Sequence, residues 1–300
     1  MTVRIAELES FFRSIQNSII TAFQAKESRG KFIADNWTSH LGRGTSCVMR
    51  DGEVYESAGV NFSMVSGDKL PSAASAKRPQ FAGLAYQALG VSVVVHPRNP
   101  HAPTSHANVR MFLVTDEQGQ QHWWLGGGFD LTPIHLYAED ASHFHRAARD
   151  AVSPFGEALY SQFKQDADSY FYMPHREEYR GIGGIIYDDL NAWDINTSLN
   201  FIQAVADGYV QAYAPIIAKR KNQTWTEQER EFQLFRRTRY AEFNLIVDRG
   251  TIFGLQSKGR TKSILMSMPP LASWHYDDLE PETDAQKALV QVVNQPQDWV

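Results

Sequence analysis

Three hundred residues, 43% of them hydrophobic and 21% charged, have the proportions of a folded globular chain with room for a sizeable core. A formal charge of −5 excludes the basic footprint of a general nucleic-acid binder, so any anion site must come from local Arg and Lys clusters. The lone Cys47 excludes a disulfide framework and a Cys-based zinc or iron–sulfur site, and no apolar run nears the length of a signal core or membrane span, so a cytoplasmic protein without an integral membrane segment is expected.

Ile5, Leu8, Phe12, Ile15, Ile19 and Phe23 recur at helical spacing and predict an amphipathic helix over about residues 4–25, covering one face of a sheet. Asp51 and Gly52, between the short apolar runs 47–50 and 53–55, signal a hairpin. Residues 92–96 have the composition of a buried strand, and period-two alternation puts Ser92, Val94 and His96 on one face. A loop rich in Pro and His follows over 97–107. Residues 108–114 form the next strand, with Asn108 and Arg110 on one face, and an extended chain at His106 would bring that ring beside them. A turn at 116–119 returns the chain as strand 121–125, completing an antiparallel hairpin. Gly126, Gly127 and Gly128 lead to Phe129 and Asp130. They match neither the dinucleotide fingerprint nor the P-loop, but leave room for a bulky partner near the backbone, and Asp130 is the only acid there.

Residues 139–165 read as one or two helices broken near Ser153 and Pro154. On a helix His143 and His145 point apart, so at most one of them faces a site. The stretch 170–190 then gathers three aromatics, His175, Arg176, Glu177, Glu178 and Arg180, and passes through Gly181, Gly183 and Gly184 into an apolar strand at 182–187. Glycines there suit either a flat partner lying on the strand or a β-bulge beside a solvated charged loop, and spacing alone leaves both open. Helices follow over 196–217 and 226–240. The second opens with a capping box, Thr226 and Glu229, and ends in Arg236, Arg237 and Arg239, which suit a solvated or interface role. Strands are expected at 242–247, 252–255 and 263–266, then a last helix over 282–293. Hairpins predominate over alternating strands and helices, which predicts a single α+β domain over 1–300 with an antiparallel sheet.

Several segments, in order, resemble the oxygen-dependent coproporphyrinogen III oxidases: 58–61, 94–97 with 103–110, 126–133, Lys164 through His175, Arg176 and 180–184 to Asp188, 243–255, and 268–270 with Trp274. The chain departs from that pattern at Asp166 and Ala167, where the family has Trp-Cys, and at Ile186, where it often has Phe. The resemblance implies a large flat, mostly antiparallel β-sheet flanked by α-helices on both faces, and a homodimer. It implies oxidative decarboxylation of two propionates of the tetrapyrrole coproporphyrinogen III to vinyl groups, giving protoporphyrinogen IX. Dioxygen would be the co-substrate, with CO2 and H2O2 released.

Ser92, Asn108, Val109, Arg110, Lys258, Gly259 and Arg260 fall at positions that line the family's substrate cleft. Propionates need cationic anchors, and a charge-assisted bond contributes about 1.5–3 kcal/mol. Arg110 and Arg260 are the expected anchors. Asp130 is expected to accept the inward pyrrole N–H groups and His106 to act as acid/base. No organic cofactor is implied. A divalent cation such as Mn on His96, His106, His145 and His175 is left open, because the chemistry can be written without one and the spacing is irregular. Two other classes stand beside this: a non-haem metal oxygenase or hydrolase using His96, His106 and a carboxylate, and a tetrapyrrole carrier without catalysis. The order and number of matching segments favour the enzyme.

Overall fold

The structure, a computed structural model, describes residues 3–70, 78–256 and 259–300. Helix α1 (Ile5–Gln24) forms where apolar residues recur every three to four positions. Its stripe of Leu8, Phe12, Ile15, Ile19 and Phe23 is at most 3% exposed, and burial of each side chain is worth about 1.5–3 kcal/mol. Gln16 sits in that stripe, yet its amide donates to Thr45 O and Val60 O at 2.8 and 2.9 Å, so no buried donor is wasted.

The surface beneath α1 is an antiparallel sheet. Strands β1 (Ile33–Ser39), β2 (Gly42–Arg50), β3 (Tyr55–Gly67), β4 (Tyr86–Pro97), β5 (Thr104–Thr115) and β6 (Gln121–Thr132) run as a meander. A short separate hairpin, β7 (Tyr172–Met173) and β8 (Glu178–Tyr179), precedes β9 (Gly184–Leu190), which pairs with β6 and closes a seven-stranded sheet. Val60, Phe62, Val91, Val93, Val109, Met111, Phe129, Leu131, Ile185 and Tyr187 form one face. They meet α1, α2 (Ala138–Val152), α3 (Leu159–Tyr170) and α4 (Ile195–Arg220) in the main core.

A second layer lies on the other face. It contains α5 (Glu227–Glu242), a π turn (Phe243–Val247), α6 (Arg249–Gln256) and α7 (Thr261–Leu265), with α8 (Asp284–Val292) packed against α5. His96 marks the junction: its ring meets Tyr240 edge-on at 4.9 Å and its Nε2 lies 2.9 Å from Ser267 O. Met266 covers Gly59. The α+β architecture with helices on both faces is as expected.

Two local expectations fail, and one strand is missed. The expected strands at 242–247, 252–255 and 263–266 are instead the end of α5 with the π turn, α6, and α7. Short apolar runs do not distinguish a strand from a buried helical turn. Asp248 decides one case, because its carboxylate accepts from Thr251 N at 2.7 Å and caps α6 rather than turning a hairpin. β1 is a strand the sequence does not announce, since it is almost wholly exposed and has no apolar alternation. Finally, Arg236, Arg237 and Arg239 are not solvated: they are 6%, 1% and 4% exposed. Arg237 pairs with Glu56 at 2.7 Å, and Arg236 and Arg239 share Glu178 at 3.0 Å each.

Candidate active site

The sheet's second face carries mostly polar and small residues in rows across the strands. Register places Asp35, Ser46, Asn61, Ser92, Asn108, Gly128 and Ile186 side by side. One step along lies Val48, Gly59, Val94, His106, Asp130 and Gly184; one step the other way, Trp37, Gly44, Ser63, Gly90, Arg110 and Gly126. Adjacent strands are about 4.8 Å apart, so the floor from β3 to β6 is roughly 15 Å wide. The alternation of β5 makes this visible. His106, Asn108 and Arg110 are half-buried on this face, whereas Ala107, Val109 and Met111 are buried on the core face.

His106, Asp130 and Arg180 form the densest group. His106 Nδ1 lies 3.0 Å from Asp130 Oδ1, and one Arg180 nitrogen donates to both Asp130 oxygens at 2.7 Å. Asp130 is 2% exposed. Burial alone would push its carboxyl up, but the Arg180 charge and the His106 bond outweigh this and hold it below its ordinary value. Arg180 is buried too. It donates to Asn244 Oδ1 at 2.9 Å and its guanidinium sits 4.4–4.6 Å from the ring centres of Phe171, Tyr240 and Phe243. The ionised carboxylate accepts Nδ1–H of His106, which fixes the tautomer and leaves Nε2 with a free lone pair among the described residues.

Two arginines flank this group. Arg110 donates to Asn108 Oδ1 at 3.2 Å and to Asp188 at 2.8 Å, and Asn108 in turn donates to Ser92 Oγ at 2.7 Å. Arg260, on the side of β1 and β2, donates to Asp35 at 2.6 Å and to Ser263 Oγ at 3.0 Å. Ser46 Oγ lies 2.8 Å from Ser263 Oγ and donates to Asn61 at 2.7 Å. Polar groups therefore run along the floor between the two cations. Both carboxylate partners are exposed, Asp188 at 42% and Asp35 at 50% of their side chains, so each pair is screened by solvent, weak and readily exchanged.

Other expected positions lie elsewhere. Val109 is a 4%-exposed core residue on the helix side, as the period-two alternation of β5 requires, so its side chain cannot line this face. Gly259 sits in the loop before Arg260, with its N–H donating to Gly254 O at 2.8 Å. Lys258 lies outside the described residues. The four candidate metal histidines do not converge, because each ring is taken up separately. His96 meets Ser267 O, His106 meets Asp130, His145 lies between Tyr160 OH and Ile182 O at 3.0 Å each, and His175 lies 3.1 Å from Glu242. Among the described residues these four form no group of ligand atoms within 4.8 Å, so they do not fit a shared cation.

The glycines also have local explanations. A Cβ on Gly126 would meet the Arg110 guanidinium at 2.6–2.7 Å, so that glycine seats the arginine. Gly128, at φ +141°, passes so close to β9 that a Cβ would lie 2.0 Å from Ile185 O. The cluster at His175 and Arg176 is occupied by Glu242 rather than facing the sheet. Arg180, Asn244 and Asp248 are absent from the expected set. For Arg180 the one sequence signal was its place between an aromatic run and a glycine-rich strand start.

A family model described as Coproporphyrinogen III oxidase matches residues 7–299. This chain therefore belongs to the coproporphyrinogen III oxidase family, whose enzymes serve porphyrin biosynthesis.

Proposed function

We propose that this chain carries out the aerobic form of the family's reaction, converting two propionates of coproporphyrinogen III to vinyl groups and yielding protoporphyrinogen IX. For each propionate, R–CH2–CH2–COO⁻ + O2 + H⁺ gives R–CH=CH2 + CO2 + H2O2. The carbon next to the pyrrole loses a hydride equivalent to dioxygen. The bond to the carboxyl carbon breaks, and its electron pair forms the vinyl double bond.

The observation that carries this reading is the His106–Asp130–Arg180 group set into a polar floor between Arg110 and Arg260. Propionates would replace Asp188 and Asp35 on the two arginines, at little cost because those pairs are exposed. A flat macrocycle would lie over the polar row of Asn61, Ser92 and Asn108, with the Arg110 guanidinium lifting from Gly126 to meet a propionate. Asp130 keeps its charge through Arg180 and orients His106, whose Nε2 takes the pyrrole N–H proton while Asp130 stabilises the resulting imidazolium. Its buried oxygens would reach the pyrrole N–H groups directly only where His106 gives way. The deprotonated, electron-rich pyrrole then reduces dioxygen, with no organic cofactor. A pair of chains is the proposed assembly, tested by a native mass of twice 34.0 kDa.

Incubation with coproporphyrinogen III in air and under argon tests the reaction. Protoporphyrin fluorescence, read after oxidation of the product, is expected only in air. Equal yields under argon would rule the aerobic reading out.

A further inference from the structure

Two histidines outside the His106 group meet a single glutamate. His101, in the turn between β4 and β5, and His135, just after β6, have ring centres 4.4 Å apart. Their Nε2 atoms both approach Glu229 Oε1, at 3.5 and 3.2 Å. The three donor atoms lie within 4.8 Å of one another, the one such group among the described residues. Tetrahedral zinc with bonds of about 2.0–2.2 Å holds its donors roughly 3.3–3.5 Å apart, close to the two spacings here. Thr224 O, 3.1 Å from His101 Nε2, offers a fourth donor, and an ion would take the place of the Nε2 hydrogen that this carbonyl otherwise accepts.

The surroundings prepare these atoms as ligands. His135 Nδ1 lies 3.2 Å from Pro100 O, so it carries the hydrogen and Nε2 presents its lone pair. His101 Nδ1 lies 2.9 Å from Tyr137 OH, which can accept the hydrogen that moves to Nδ1 when Nε2 binds an ion. Metal-binding histidines are commonly oriented through the other ring nitrogen in this way. Glu229 uses Oε2 to accept from Thr226 N at 2.8 Å in the cap of α5, so Oε1 is left to face the rings. In this tautomer His135 Nε2 and Glu229 Oε1 are two acceptors 3.2 Å apart, with side chains 1% and 12% exposed. Two buried lone pairs at that distance repel, and a proton or a metal cation between them relieves the repulsion. One donor competes for the position: Gln286 Nε2 lies 3.2 Å from His135 Nε2, and its Oε1 is fixed by Glu282 N and Thr283 N.

The geometry points to a structural binding site for zinc, or a first-row ion of similar preference, formed by His101 Nε2, His135 Nε2 and Glu229 Oε1. Imidazole nitrogens with one carboxylate oxygen suit such an ion. It would clip together the turn before β5, the segment after β6 and the start of α5. Those elements carry His106, Asp130 and Tyr240, so the ion would brace the reaction site without touching substrate.

Chelator-stripped full-length chain, titrated with Zn2+ alone and separately with Co2+, tests this. One ion per chain, tetrahedral Co2+ absorption bands and a raised thermal midpoint are expected. His135→Phe keeps a ring in the stack and Glu229→Gln keeps the capping oxygen, and each should weaken binding at least about tenfold. Gln286→Glu keeps its own cap but replaces the competing amide with a carboxylate, and should tighten binding several-fold. Failure to retain zinc, or the same affinity and stoichiometry in wild type, His135→Phe and Glu229→Gln, would overturn the site. Weaker binding by a folded Gln286→Glu chain would overturn it as well.

Discussion

Asp130 and Arg180 depend on each other. Removing one partner of a buried ion pair leaves the other charge uncompensated, at about 3–5 kcal/mol. Arg180→Met is therefore expected to cost that much in urea unfolding, and adding Asp130→Asn should recover part of it, since the uncompensated carboxylate is gone. Asp130→Asn alone should lower kcat by about 10²–10⁴-fold with little change in KM, because it removes the charge that orients and stabilises His106. Gly126→Ala should displace the Arg110 guanidinium, costing under about 1 kcal/mol of stability while raising KM roughly tenfold. Much at this scale was legible: alternation alone puts His106, Asn108 and Arg110 on one face. The same alternation excludes Val109. Arg180 was only partly legible: the charged cluster before the glycines marks it, but its partner Asp130 lies 50 positions away.

At the scale of elements, α5 is the clearest departure from surface logic. Its arginines face inward because Glu56 on β3 and Glu178 on β8 meet them there. Burial lowers Arg237 to about 10 even with Glu56 beside it. Glu178→Gln should cost about 3 kcal/mol or more in denaturant unfolding, since it leaves Arg236 and Arg239 without their shared carboxylate. A loss below about 1 kcal/mol would show that Arg236 and Arg239 are solvated after all. The hairpins β2–β3 and β5–β6 were readable because their turn residues fall between short apolar runs. The segment 243–266 was not, because nothing local says whether a short apolar run will join a sheet edge or cover a sheet face. Here it covers the polar face and brings Arg260 to it.

For the whole molecule, acid should act through buried histidines before it acts through carboxylates. Burial lowers His145 from 6.5 to about 4 and His96 from 6.5 to about 3. Below pH 6.5 the unfolded chain therefore binds protons that the folded chain refuses, and stability falls as pH drops towards those folded values. Each such histidine contributes about 1.4 kcal/mol per pH unit across that window. Glu242, buried but held at about 2 by Arg176, Trp274 and His175, gives up its contribution only as pH falls from 4.5 towards that value. Urea midpoints should thus drop between about pH 6.5 and 5, and less steeply in His145→Gln; an unchanged slope in that variant would contradict the assignment.

Oxygen uptake recorded against product during turnover of coproporphyrinogen III tests the chemistry of the polar face most directly. The wild-type chain should consume two O2 for each protoporphyrinogen IX formed and release two CO2, and Asp130→Asn should nearly abolish both. Product formation without oxygen uptake, or full activity in Asp130→Asn, would contradict an aerobic reaction centred on His106 and Asp130.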